Sequence, residues 1–358
     1  MTAVNRRTQR LMGALPLASL GIVTAVDLLT GPGLGYLSLL AVGPAFASLV
    51  GGIRRTVLIG VLALVLSVVL ALYDGVLGDP QSNMSLISIL GVTAAAILAT
   101  AGRQRSEREL ATVRSVAEVA QRVLLRPVPR RAGHLRAAVS YTSANAEARI
   151  GGDLYEVVTG PASVRAIVGD VQGKGLEAVE TAALVLGAFR EAAHDEPDLR
   201  GVSGRLEKAL NRRLSGEEFV TAILVEADPG GKLTLLNYGH PPPLILHANG
   251  AITLAEPDDT APPLGLATFG VEGPSPHQVA FRPGDQILLY TDGVIEARDR
   301  AGRFYPLAER AFLLKDDDPE AALEALRRDL VHHVDAPLHD DAAMLLLRSR
   351  EPSPTSAD

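Results

Sequence analysis

An α+β layered domain of mostly antiparallel sheet, preceded by a four-helix transmembrane bundle, is the architecture the sequence predicts. Three observations carry it. Four long apolar stretches lie within residues 1–102, the chain beyond about Ala132 breaks into short strand-like runs, and turn signals rather than alternating helices join those runs.

The apolar stretches, about 11–28, 34–50, 56–73 and 85–101, approach the roughly 20 residues that a helix needs to cross a bilayer core. Asp27 falls near the end of the first, where an interface hydrates it, and Pro44 is expected to kink the second. Arg6, Arg7 and Arg10 precede the first stretch, Arg54 and Arg55 separate the second and third, and Arg103 and Arg105 follow the fourth. The other two loops, "TGPG" and "DGVLGDPQSN", carry no Lys or Arg, so the positive-inside rule puts both ends in the cytoplasm of a multi-pass cell-membrane protein. A cleaved secretory signal is the alternative for the first stretch, and the three that follow count against it. No charge lies mid-span, which favours an anchor or sensor over a transporter.

Residues 103–130 form a charged linker. Leu110, Val113, Ala117, Ala120 and Leu124 fall on heptad spacing, which fits either a short dimeric coiled coil or an ordinary amphipathic helix, and Pro127 and Pro129 end it. Strands follow at 136–144, 153–159 and 163–171, then helices at 176–193 and 199–214. Further strands are expected at 219–228 and 232–239, a hairpin around Asn249-Gly250, and strands in "QVAFR" and "DQILLYTD". A helix over Pro319–Val334 and a strand over 342–348 complete a domain of residues 131–349, and 350–358 reads as a disordered tail.

Charge and cysteine narrow the chemistry. Of the chain's 34 basic and 41 acidic residues, residues 1–102 hold five and three, which leaves the remainder at a net charge of −9. An acidic cytoplasmic part argues against nucleic acid as a partner and suits a site that collects cations. With no cysteine, disulfides, zinc-thiolate sites and thiol nucleophiles are excluded together.

The glycine-rich run "IVGDVQGKG" (167–175) is not a phosphate-cradling loop: its glycine spacing is one residue short and Gly175 stands where Ser or Thr is required. What it offers is Asp170, one of several aspartates placed where a strand meets a turn. Asp153 follows Gly151-Gly152, Asp292 precedes Gly293, and Asp340-Asp341 opens the last strand. Any one of these is more often a turn residue or cap. Converging at one sheet edge, they repel one another unless a hard divalent cation neutralises them. Two ions roughly 3.5–4 Å apart activate water and neutralise a phosphoryl group. His240 in "NYGHPPP" reads as a turn histidine, Lys174 as peripheral, and Asp258-Asp259 and Asp316–Asp318 as solvated loop charges or a helix start.

In order, "GGDLYEV" (151–157), "VGDVQGKGLEA" (168–178), "FVTAILVEAD" (219–228), "LNYGHPPPLIL" (236–246), "PPLGL" (262–266), "LLYTDGVIEARD" (288–299) and "DDAAMLLLR" (340–348) resemble the bacterial SpoIIE-type, or RsbU-like, branch of the PP2C serine/threonine phosphatases. The resemblance covers about residues 118–349. It implies a β-sandwich between helical layers, a centre of two manganese or magnesium ions at one edge, and hydrolysis of phosphoserine or phosphothreonine by metal-activated water. Carried over by motif, Asp153, Asp170, Asp292 and Asp340 are the catalytic metal ligands, joined by the Val171 carbonyl, with Asp341 in support. It also implies a phosphorylated cytoplasmic substrate of the anti-anti-sigma (STAS) type. Glu156 stands where the family has a second aspartate, and is assigned a supporting role through water. Val171-Gln172 replaces the histidine of eukaryotic relatives, leaving the general acid unassigned between water and His240. A non-catalytic sensor module is the alternative function.

Overall fold

The computed structural model describes residues 3–30, 36–143, 152–160, 162–213, 218–257, 259, 261–266 and 273–350. The chain divides into two compact units, Met1–Thr112 and Val113–Asp358. Gly151, Leu214, Asp258 and, of the expected tail at 350–358, residues 351–358 lie outside the described residues.

The first unit contains α1 (Ala3–Thr30), a 3-10 turn (Tyr36–Ala41) continuous with α2 (Val42–Val50), α3 (Ile53–Tyr73) and α4 (Pro80–Leu124). Three helical segments, Met12–Thr30, Ile53–Tyr73 and Pro80–Gln121, are long and apolar enough to cross a bilayer; Tyr36–Val50 is shorter. Among the described residues the expected four spans are three long helices and one shorter one. Pro44 sits in the first turn of α2, where a missing N–H costs no helical bond. With the 3-10 turn the segment spans only about 25 Å. Leu20, Leu40, Ala47, Ile59, Ala63, Leu70 and Ile89 form its common core. Arg103 donates to the Leu49 and Gly51 carbonyls, and Arg55 to Gly13, so the basic side chains bind the backbone at one end of the bundle. Asp27, near the end of α1, is 4% exposed.

The expected linker helix is the continuation of α4. Arg103–Glu107 and Arg105–Glu109 pair at i,i+4 where the apolar stretch gives way to charge. Of the heptad positions, Ala117 is buried against Val179 with Ala120 and Leu124 beside it, whereas Leu110 and Val113 are exposed.

The second unit continues with β1 (Arg131–Ala132), β2 (Leu135–Thr142), β3 (Asp153–Thr159), β4 (Val164–Val171), α5 (Leu176–Asp195), α6 (Leu199–Asn211), β5 (Val220–Ala227) and β6 (Lys232–Tyr238). It then runs through β7 (Leu244–Leu246), β8 (Ile252–Leu254), β9 (His277–Ala280), β10 (Gln286–Tyr290), α7 (Asp292–Ile295), α8 (Leu307–Arg310), α9 (Pro319–Val334) and β11 (Ala342–Ser349). One sheet has the order β1-β2-β11-β10-β7-β8 and the other β3-β4-β5-β6-β9. Every ladder is antiparallel, as the hairpin signals predict.

Period-two alternation builds the layers. On β3, Tyr155 and Val157 face the core between the sheets with Val168, Ile223, Ile287 and Leu345. Leu154 and Val158 face the opposite way, against Val185, Phe189 and Leu206 of α5 and α6. Leu288 and Leu346 of the other sheet pack on Leu326 and Leu330 of α9. The result is a four-layer sandwich with helices outside both sheets. The Asn249-Gly250 hairpin differs from the expected two-residue turn. His247 N bonds Ala251 O, Gly250 N bonds His247 O, and Gly250 has φ +85°, so the connection is a three-residue loop with glycine in the left-handed position.

Candidate active site

Asp153 opens β3 and Asp170 is the penultimate residue of β4, and the antiparallel register sets them directly opposite each other. Alternation turns both toward the inter-sheet side. Such a like-charged pair is unfavourable by itself, so its placement needs a reason other than sheet stability. From the facing sheet, Thr291 follows β10 and its Oγ1 donates to Asp153 Oδ2 at 2.8 Å while accepting from Ala343 N at 3.0 Å. Asp292 comes next, as the first residue of α7, and Asp340-Asp341 lead into β11. Ends of strands from both sheets thus meet at one edge.

Glycine is needed here for close approach. A Cβ on Gly152 stands 2.3 Å from the Val171 carbonyl oxygen and 2.7 Å from Asp170 Oδ1, and one on Gly293 stands 1.8 Å from the Asp341 carbonyl oxygen. Either side chain pushes the aspartate-bearing segments apart.

The electrostatics record the crowding. Asp153, 4% exposed, holds its proton well above the ordinary carboxylate range because of burial first, then the charges of Asp170, Asp341 and Asp292, against the Thr291 hydrogen bond. Burial with Asp292 and Asp340 pushes Asp170 up to about 7. Asp292 is raised by burial, Glu296 and Asp340. Asp341, 3% exposed, accepts from the Tyr141 hydroxyl and from Ser143 Oγ at 3.3 Å, and its amide donates to Asp340 Oδ1 at 3.0 Å. Lys174 Nζ lies 2.6 Å from Asp340 Oδ1, which corrects its assignment as peripheral.

Glu156 points away from the cluster, and His240 sits beside Thr221, the cross-strand neighbour of Asp170. Glu156 is three positions from Asp153, so the pleat points it to the opposite face, where its carboxylate pairs with Arg190 of α5. His240 is buried, with Nδ1 3.2 Å from Thr221 Oγ1. Burial lowers it to about 3, leaving a neutral imidazole with no proton to give as an acid near pH 7.

The donor set fits hard divalent cations: all oxygen, four carboxylates gathered at one edge, and a single lysine paired with the most exposed of them. Among the described residues no three His, Asp or Glu side chains stand close enough to form a ready-made cage. The carboxylates are gathered at one edge without being closed around a point.

Residues 160–350 match the family model of stage II sporulation protein E, SpoIIE, which covers more than half of the chain. The chain belongs to the SpoIIE family. Asp170, Asp292, Asp340 and Asp341 lie inside the matched segment and Asp153 just before it. The RsbU and RsbW domains of a Mycobacterium tuberculosis protein are similar at 26% identity and a TM-score of 0.52, over 62% of this chain and 61% of that one. The PP2C domain and regulatory fragment of SpoIIE from Bacillus subtilis share the fold at 17% identity and a TM-score of 0.51, over 61% and 64%. The SiaA PP2C domain of Pseudomonas aeruginosa does so at 19% identity and 0.55, over 68% and 98%. The chain spans less than two thirds of the first two structures' own lengths. The second unit is thus a SpoIIE/RsbU-type PP2C phosphatase domain with the expected sandwich fold.

Within this SpoIIE domain the sequence left Thr291, Tyr141 and Lys174 unassigned to the site. Thr291 had a local signal, a hydroxyl between a strand and an aspartate. Tyr141 had none, because the residue it supports lies 200 positions further on.

Proposed function

We propose that the chain is a membrane-tethered, metal-dependent protein serine/threonine phosphatase acting on a cytoplasmic phosphoprotein. The observation that supports it most is the cross-strand pair Asp153–Asp170 meeting Asp292 and Asp340 at one sandwich edge. Two manganese or magnesium ions would be held by Asp153, Asp170, the Val171 carbonyl, Asp292 and Asp340, with Asp341 behind them. When bound, such ions lower the pKa of water and neutralise charge on the phosphoryl group.

The chain's own residues prepare that edge. Thr291 fixes one oxygen of Asp153 and ties it to the β10–β11 ladder. Tyr141 and Ser143 orient Asp341, and burial together with Asp341 keeps the Tyr141 hydroxyl protonated, so it remains a donor. Lys174 offsets the charge of Asp340. With His240 neutral, solvent is the proposed proton source for the departing serine or threonine oxygen.

The substrate we propose is a phosphorylated anti-anti-sigma (STAS-type) regulator, in keeping with the mycobacterial relative, which carries its RsbU domain in one protein with an RsbW domain. The basic residues at one end of the bundle support a cell-membrane location with that end and the phosphatase domain cytoplasmic. The exposed Leu110 and Val113 on α4 support a homodimer contact through the linker. Full-length protein in detergent should hydrolyse p-nitrophenyl phosphate with manganese, and a phosphoproteomic comparison of cells carrying wild type or Asp170→Asn should reveal the substrate. Turnover that survives both chelator and Asp170→Asn would overturn the assignment.

A further inference from the structure

The unit of residues 1–112 holds a second acidic site, at the end of the bundle away from Arg55 and Arg103. Asp27 of α1, Asp74 after α3, Asp79 before α4, and Gln81, Ser82 and Ser85 in the first turns of α4 line one cavity of about 40 Å³. One water needs roughly 10–15 Å³ by this measure, so the space holds about three water-sized groups. Asp27, Ser82 and Ser85 are 4%, 3% and 4% exposed. Asp27 Oδ2 and Ser82 Oγ are buried there with no hydrogen-bond partner, and the lining includes no Lys, Arg or His.

A buried carboxylate without a counter-charge is costly, and an ionisable group at membrane depth marks a site more often than an accident. The unmet needs are specific: positive charge for Asp27 and hydrogen-bond donors for Asp27 Oδ2 and Ser82 Oγ. An ammonium group supplies charge and three or four N–H donors in the volume of a single water, and the two small apolar walls, Leu37 and Val76, leave room for a short alkyl stem.

We infer that this cavity binds a small cation bearing an ammonium group, held by Asp27 and Ser82 and drawn in by Asp74 and Asp79. Under the topology proposed above it faces outward, and α4 carries Ser82 and Ser85 at its start before running unbroken to Leu124. The site gives the bundle a ligand to detect as well as a membrane to hold.

The test is calorimetric titration and thermal melting of the full-length protein in nanodiscs with ammonium chloride and methylammonium chloride, against potassium and magnesium chloride at equal ionic strength. Neither readout uses phosphatase turnover, so the result is independent of the catalytic assignment. Saturable binding and a rise in Tm with either ammonium species, abolished in Asp27→Asn and weakened about tenfold in Ser82→Ala, is the expected result. Binding of methylammonium alone identifies a primary amine as the source, and binding of both a free ammonium group. No saturable binding, unchanged affinity in Ser82→Ala, or an equal response to potassium or magnesium overturns the inference. Because Ser82→Ala removes only one hydroxyl, it keeps the test decisive if Asp27→Asn does not fold.

Discussion

Replacing Thr291 with valine keeps shape and removes one hydroxyl, and that hydroxyl makes two buried bonds. It donates to Asp153 Oδ2 at 2.8 Å and accepts from Ala343 N at 3.0 Å. Losing a hydrogen bond to a charged group costs about 1.5–3 kcal/mol, and stranding a buried amide about 1–3 kcal/mol. Because the two bonds share one oxygen and the site can relax, the sum is bounded at about 2–4 kcal/mol. For a domain of this size that lowers Tm by about 5–15 °C. The same change releases the carboxylate that the site relies on. Outer-shell partners of metal ligands are worth about 10–100-fold in affinity, so manganese binding should fall by that factor. Thr291→Ser keeps both bonds and should restore both properties. Scanning calorimetry and titration of the three proteins check this. A Thr291→Val protein that melts within about 1 °C of wild type and binds manganese equally well refutes the role given to Thr291.

Gly293→Ala places a methyl 1.8 Å from the Asp341 carbonyl oxygen, so the backbone must move, and chemical denaturation should show a loss of about 3 kcal/mol or more together with lost turnover. The metal-free protein should lose stability as pH rises. Asp170 is raised to about 7, so between its unfolded value near 4 and about 7 the folded state binds the extra proton, and its stabilising effect disappears as pH passes 7. Melting curves from pH 4 to 8 with chelator should fall over that window, and saturating manganese should remove the fall. Lys174→Ala removes an ion pair at the surface of the cluster, so stability should change by less than about 1 kcal/mol while manganese affinity rises a few-fold. A large loss of stability would show that Lys174 is structural.

Much of the fold was legible because burial in a sandwich leaves period-two patterns. β3 and α9 fall at their expected limits, and most other elements lie within two residues of theirs. The four aspartates shared a signal visible in sequence, a strand end beside a turn, with glycine next to three of them, and that local habit survives without knowledge of register. Glu156 misled, because three residues along a strand reverses the face, and its partner Arg190 lies on a helix 34 positions away. Tyr141 and Lys174 reach the site only through tertiary closure, 200 and 166 positions from the residues they meet. In the bundle, hydropathy marked the spans, and the second of them is a 3-10 turn continuous with a short helix. Burial of Asp27 depends on neighbouring helices, which a hydropathy window does not see.

The central claim is that the edge carboxylates exist to hold divalent cations. Titration of metal-free full-length protein with manganese in buffers of different ionisation enthalpy tests it most directly. The account predicts two equivalents bound with proton release near pH 7. Asp170→Asn should lose that binding, yet melt at or above the metal-free wild type because one repelling charge is gone. Binding that is absent in the wild type, or unchanged in Asp170→Asn, contradicts it.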